Sequence, residues 1–408
     1  MPAVWPYDGS CDFEKLTRSG WAPQPINEYI FKTQSRCNLN CDYCYVYNLG
    51  DDSWKSAPTV MSDEVAVAAA TRIRRHAQSH GLPGVGISIH GGEPLLRGIE
   101  PIERFVDLMR THLAPLQFEV SMQTNATLIT DASAHRLHTL GIRVGVSLDG
   151  DLEANSHRLD RRGRSSYRRV VTGIERLARY PGLIQGALAV IDLRNDPISV
   201  YRTVKELGIT SLDTLLPHST WEALPPGKSA DRSPASASPY GDWLRALYDH
   251  WKTDTDRIRL RIFDDILHLL LGGANSFESL GLGPAQLATI ETNGDIELVD
   301  SIGFTYGGAA ETGANVLRDD IDVVLRHPGV VCRQIGIDAL PPICHSCPVV
   351  DVCGGGLISH RFDASAGFKN QTVYCSDMMS LISHIRADLE QRIVRQRRRM
   401  SEPAAAQG

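Results

Sequence analysis

Six short runs rich in apolar and β-branched residues recur through the first half of the chain, at 29–33, 86–90, 118–122, 144–148, 185–190 and 212–216. Between them lie segments with helical patterning. This alternation of strand and helix predicts a parallel sheet covered by helices. Ser62, followed by Asp63 and Glu64, marks one helix start, and Asp131, the Ser165–Ser166 pair and Pro197 mark others. The pattern stops near Pro217, which predicts six strand–helix units and disfavours a closed eight-unit barrel.

From 224 to 239 the chain is rich in Pro, Ser, Ala and Gly, the composition of a connection between domains. Helical pattern returns over 240–271, with Trp243, Leu244, Leu247, Tyr248, Ile266, Leu267, Leu269 and Leu270 as apolar faces. A hairpin signal follows at 294–298. Leu381, Ile385 and Leu389 stand at helical spacing in a last segment that ends on a basic run, Arg395 to Arg399, suited to a helix C-terminus. The expected organisation is an extension (1–28), a partial barrel (29–223), a linker with bridging helices (224–285), a second domain (286–380) and a basic helix with its tail (381–408).

A 42% hydrophobic and 22% charged composition over 408 residues is that of an ordinary globular protein. A net charge of -6 argues against a general nucleic-acid binder. No apolar run approaches the ~18 residues of a membrane span, and the start Met1–Trp5 lacks the basic residues of a signal peptide, so a cytoplasmic protein is expected. Nine cysteines in that compartment point to metal or redox use more than to disulfides. Eight fall in two groups; Cys11 stands alone and is given no role.

Cys37, Cys41 and Cys44 have the spacing Cys-x3-Cys-x2-Cys. Three thiolates can hold three irons of a [4Fe–4S] cube and leave the fourth open to a chelating cofactor. A zinc knuckle or a set of buried thiols is the alternative, but no further His or Cys follows nearby as a fourth zinc ligand. With the aromatic Tyr43 before the last cysteine, the motif resembles the signature of radical S-adenosylmethionine (SAM) enzymes. The resemblance implies an α/β fold: a partial (β/α)6 radical SAM barrel followed by a SPASM-like auxiliary-cluster domain.

Several loops after the expected strands resemble that family's SAM site. In His90–Gly91–Gly92–Glu93–Pro94 the glycines would let backbone approach the methionine part of SAM, and Glu93 would receive its ammonium. Gln123, Asn125, Ser147 and Asp149 resemble contacts to the sugar or sulfonium region, and the resemblance adds Tyr43, Pro94 and Leu216, at the end of the last strand, to the expected SAM-binding residues. Each also reads as an ordinary turn or core residue. Among six arginines between 158 and 169, Arg158 is the first choice and Arg168 the second to hold the SAM carboxylate; the others read as a solvated charge run. A lipase-type oxyanion loop is set aside, since no Gly-x-Ser-x-Gly elbow occurs.

Cys344, Cys347, Cys353 and Cys375 supply four thiolates, enough to close a second [4Fe–4S] cluster; zinc held by the same four is the rival. The group, followed by Gly354–Gly355–Gly356, resembles the SPASM domain. It departs from the fullest seven-cysteine form. Gly356 and Leu357 stand where another cysteine is expected, and Val299 stands in place of an upstream one. One auxiliary cluster is therefore expected. Cys332, before the quartet, reads as a spare buried thiol, with a replacement ligand as the alternative. Asp300, directly after the lost position, matches an Asp to which sulfatase-maturing relatives assign a base role, or else serves a turn.

The run from Cys44 to Trp54 and the run from Val349 to Leu357 resemble the FxsB-type branch, which forms cyclophanes in ribosomally made peptides. That resemblance implies a 5′-deoxyadenosyl radical taking hydrogen from a β-carbon, ring closure onto an aromatic carbon two residues earlier, an electron passed to the auxiliary cluster and a proton passed to Asp300. It also implies a precursor peptide with a leader segment and a flavodoxin- or ferredoxin-type reductant as partners. No leader-binding domain of ordinary size, about 80 residues, fits before Tyr29. The alternatives are a thioether-forming enzyme, a sulfatase-maturase-like oxidation of Ser or Cys and, more remotely, a non-catalytic iron–sulfur or zinc module.

Overall fold

The computed structural model describes residues 10–274 and 278–401. The start Met1–Trp5 and the tail beyond 401 lie outside them. Ten strands form one sheet in the order β10-β9-β8-β1-β2-β3-β4-β5-β6-β7. The six predicted strands are β1 (Glu28–Gln34), β2 (Gly84–Gly91), β3 (Gln117–Thr124), β4 (Arg143–Ser147), β5 (Ile184–Val190) and β6 (Ser211–Leu215), all paired parallel in chain order. Their inward residues, among them Phe31, Ile89, Met122, Val146 and Leu212, are buried and pack with the covering helices into one core.

The predicted helix starts hold. Ser62 accepts from the Val65 N–H and caps helix Asp63–Ser79. Helix Asp131–Leu140 is capped by Thr130 with a reciprocal Ser133 bond, and helix Pro197–Glu206 by Asp196. Helix Tyr167–Ala178 follows Ser166, whose side chain makes no cap bond.

The parallel run is longer than the sequence pattern implied. β7 (Arg259–Leu260) adds to β6, and β8 (Leu287–Ile290) adds parallel to β1, with Glu28 opposite Leu287 and Phe31 opposite Ile290. β8 then turns back through β9 (Asp295–Glu297) and β10 (Glu311–Asn315), fulfilling the hairpin signal. A two-residue strand carries no periodicity, which is why β7 was invisible in the sequence. It also divides the expected helical segment into Pro239–Trp251 and Arg261–Leu270. The last helix, Cys375–Ser401, starts at its cysteine rather than at Leu381. No helix among the described residues is long and apolar enough to cross a membrane.

Candidate active site

The loop holding Cys37, Cys41 and Cys44 leaves the C-terminal end of β1, the end at which parallel barrels place their chemistry. Gly91 and Gly92 make this loop possible. A Cβ on Gly91 would lie 2.1 Å from the Gln34 carbonyl oxygen, and one on Gly92 would lie 2.3 Å from the Arg36 carbonyl. Instead the Gly92 N–H donates to Gln34 O at 2.7 Å and the Glu93 N–H to Arg36 O at 3.0 Å. The glycines thus admit the cysteine loop itself, a nearer task than admitting a ligand.

Glu93 is wholly buried. Its carboxylate accepts from the Leu95 N–H at 3.1 Å, Thr124 Oγ1 at 2.7 Å and the Asn125 N–H at 2.8 Å. Burial raises its pKa, and the three donors pull it back. Pro94 opens the short turn Pro94–Arg97 that Glu93 caps. Asn125 carries the link onward, its Nδ2 lying 3.7 Å from Cys37 Sγ and 2.9 Å from Asn38 Oδ1. Gln123 Nε2 donates to Ser147 Oγ at 2.9 Å across β3 and β4.

On the other side of the loop, Tyr43 donates to Asp149, and Arg158 Nη1 donates to the Tyr43 hydroxyl at 2.8 Å. Asp149 also accepts from the Val190 N–H at 3.0 Å. Burial pushes Asp149 up against the pull of Arg158. Arg158 is 6% exposed, yet its Nε has no hydrogen-bond partner among the described residues. An unpaired guanidinium N–H at this depth fits an anionic group such as a carboxylate. Arg168 is exposed. Leu216 follows β6 and is partly buried.

Asp300 opens a short turn, Asp300–Ile302, so the turn reading is correct as local structure. Its carboxylate also has distant partners. Tyr45 donates to Oδ2 at 2.7 Å, and Lys32 Nζ stands 3.4 Å from Oδ2 and 3.1 Å from Glu291. Burial would raise the Asp300 pKa, but Lys32, His90, the Tyr45 hydroxyl and His218 together hold it below the usual carboxylate range. Burial and Glu291 push the adjacent Glu297 up to about 8. The His218 ring packs on Tyr45 at 4.7 Å and on Phe304 at 5.0 Å.

The distal cysteines Cys344, Cys347, Cys353 and Cys375 are unpaired and influence one another electrostatically. Gly354, Gly355 and Gly356 all have left-handed φ, of 59°, 78° and 65°, and their three carbonyls are held by Arg361. That backbone run is open only to glycine. Four thiolates on zinc would sit within ~3.8 Å of each other. Among the described residues the one group of ligand-type atoms within 4.8 Å of one another is His76, His80 and Asp322. Three and four thiolates are the ligand numbers that an open and a closed [4Fe–4S] cluster take.

Two readings of the sequence need correction. Cys11 and Cys332 form a disulfide with Cα atoms 5.2 Å apart, so Cys332 is neither a spare thiol nor a ligand, and Cys11 is not idle. Their separation of 321 positions left no spacing signal. The partners Lys32, Tyr45 and His218 were likewise missed. Tyr45, next to Cys44, was the one with a positional cue.

Residues 31–185 match the family model of the Radical SAM superfamily. The serine-type anaerobic sulfatase-maturating enzyme of Bacteroides thetaiotaomicron is 25% identical over 379 residues, 89% of this chain and 90% of that protein. The cysteine-type enzyme of Clostridium perfringens is 29% identical over 67% of this chain and 73% of its own length. The solved structure of native anSMEcpe with bound AdoMet and the Cp18Cys peptide superposes with a TM-score of 0.74 at 24% identity, covering 90% of this chain and 99% of that one. The chain has the radical SAM fold.

Proposed function

We propose that the chain is a peptide-modifying radical SAM enzyme that oxidises a Ser or Cys side chain by two electrons, the chemistry its maturase relatives suggest. The observation that carries this reading is the ionised Asp300 held by Tyr45, the residue that follows the last cysteine of the first motif. A [4Fe–4S] cluster on Cys37, Cys41 and Cys44 with SAM would supply hydrogen-atom abstraction at the substrate β-carbon, and a second cluster on Cys344, Cys347, Cys353 and Cys375 would supply an electron sink.

The protein's own residues do the rest. Arg158 offers its unpaired Nε to the SAM carboxylate, and Tyr43 and Asp149 fix the guanidinium. Gln123 and Ser147 order one wall, and Asn125 orients Cys37. Glu93 ties the β2 and β3 loops together, and the SAM ammonium is read against its remaining lone pair. The Asp300 carboxylate takes the proton that leaves when the carbon-centred radical loses its electron, and Lys32 keeps it ionised beforehand. A Ser side chain that loses one hydrogen atom, one electron and one proton becomes an aldehyde. The substrate would be a precursor peptide or protein, the electron source a flavodoxin or ferredoxin type, and the setting the cytoplasm.

A second reading, closure of a carbon–carbon cyclophane, is favoured by the FxsB-like run from Cys44 to Trp54 and by Val299, Gly356 and Leu357 in cysteine positions of the fullest SPASM pattern. The cross-link and the Ser aldehyde both lose two hydrogens, whereas a Cys substrate loses two hydrogens to a thioaldehyde, which water converts to the aldehyde with release of hydrogen sulfide. Anaerobic turnover of Ser- and Cys-containing peptides, with and without aromatic residues, followed by hydrazide trapping, separates them. A trapped carbonyl supports oxidation; an inert product of the same mass supports the cross-link; unchanged peptide with SAM cleaved refutes both.

A further inference from the structure

A cavity of about 110 Å³ lies where the end of β6 meets Arg261–Leu270 and the segment that follows the distal cysteines. Its walls include Leu216, Leu280 and Leu357. Three residues that line it, Thr214, His218 and His360, each carry a buried polar atom, Oγ1, Nδ1 and Nε2 respectively, with no hydrogen-bond partner among the described residues. Thr214 and His360 are each 3% exposed. Unsatisfied buried groups of this kind are costly, and their gathering on one cavity points to an occupant.

One residue of the cavity wall, His218, touches the site already described. The His218 ring contacts Tyr45 on the cysteine-loop side and lies 5.9 Å from the His360 ring on the other. The wall's charges are already matched, Arg261 Nε donating to Asp213 at 2.8 Å. Burial keeps both imidazoles neutral, lowering His218 to about 4 and His360 further below its usual value. A cationic or anionic side chain would meet no counter-charge here. An apolar body with a neutral polar tip satisfies both kinds of wall.

Resting on the reading that the substrate is a peptide, we propose that this cavity is the subsite for a neutral aromatic side chain of that peptide, tyrosine or tryptophan, with its ring against Leu216, Leu280 and Leu357 and its hydroxyl or indole N–H among Thr214, His218 and His360. The three polar residues are positioning residues. They fix which residue of the peptide lies beside Asp300.

The test is equilibrium dialysis of the reconstituted holoenzyme, with saturating SAM, against an equimolar mixture of the N-acetyl amides of tyrosine, tryptophan, phenylalanine, alanine and lysine, read by mass spectrometry. The tyrosine and tryptophan amides are expected to be retained about tenfold over those of alanine and lysine. Leu357→Trp, which fills the cavity, should erase the preference while iron content and SAM binding persist. His218→Phe and the isosteric Thr214→Val should each bring tyrosine down toward phenylalanine, and Thr214→Val carries the test if Leu357→Trp fails to hold iron. Equal retention of all amides, a preference for lysine, a preference that survives Leu357→Trp, no response to either polar variant, or retention that SAM abolishes would overturn the proposal. The last outcome would make the cavity part of the cofactor's own pocket. Two-hydrogen loss from a peptide is scored separately, so the subsite can fail while the oxidation reading stands, and the reverse.

Discussion

Tyr45 donates its phenolic hydrogen to Asp300 Oδ2 at 2.7 Å, joining the residue after Cys44 to one that lies 255 positions later. The bond places a carboxylate against the cysteine loop and gives the loop a fixed partner in the C-terminal half. Asp300→Asn keeps the shape and removes the proton acceptor. It is expected to leave SAM cleavage running while modified peptide falls at least about tenfold relative to 5′-deoxyadenosine. Mass spectrometry of both products from one reaction gives the ratio, and a wild-type ratio would reduce Asp300 to a turn residue.

The depressed pKa of Asp300 sets a pH expectation. A carboxylate whose folded pKa lies below its unfolded value, about 3.9, contributes stability above that value and loses it as pH falls through the lower folded pKa. The group is therefore charged throughout neutral pH. The product ratio should be flat between about pH 6 and pH 8 and should fall only in acid. A step in that ratio near neutrality would assign the proton to another group.

Lys32 faces Asp300 and Glu291 with both its own side chain and that of Asp300 only 9% exposed. Lys32→Met leaves buried carboxylates without a cation, a loss of about 3–5 kcal/mol in comparable pairs. Thermal unfolding should show it. Asp300→Asn in the same chain should recover part of the loss, since it removes one of the stranded charges; no recovery would mean that the pair is not coupled.

Glu93→Ala strips acceptors from Leu95, Thr124 and Asn125. Stranded buried donors cost about 1–3 kcal/mol each. Because Asn125 also approaches Cys37, the variant should lose iron from the first cysteine set as well as SAM affinity. Wild-type iron with weakened SAM binding would instead mark Glu93 as a simple ammonium partner.

Anaerobic reconstitution should load about eight irons, and replacement of Cys37, Cys41 and Cys44 by Ala should remove about half and end SAM cleavage. Iron and sulfide assays decide this. A total near twelve would show a third cluster, and retained cleavage would end the radical SAM reading.

Much of this was legible in the sequence, for a local reason. Strands β1 to β6 and the helix starts at Ser62 and Pro197 rest on neighbours within a few residues, and the cysteine spacings are short-range. Glu93, Asp149 and Arg158 stood out by order along the chain, though their partners did not. Illegible were the relations made only by folding: Cys11 with Cys332, Lys32 with Asp300, and the meeting of His218 with His360. A histidine with no motif around it gives no sign that its Nδ1 will be buried and unpaired. Arg168 had the right residue type in the right stretch and still points to solvent on its helix.

The pairing of β8 with β1 bears on how such a protein can be recombined. The strand that launches the cysteine loop is flanked on one side by β2 and on the other by a strand from beyond residue 286. Cutting the chain before β8 would bare the backbone of β1 along the registered positions Glu28 to Phe31 and invite pairing with another molecule. It would also take Glu291 from Lys32. The barrel is thus no portable cassette: a chimera that exchanges C-terminal halves between relatives should keep β8 and β9 with the barrel they complete and place its junction after Glu297.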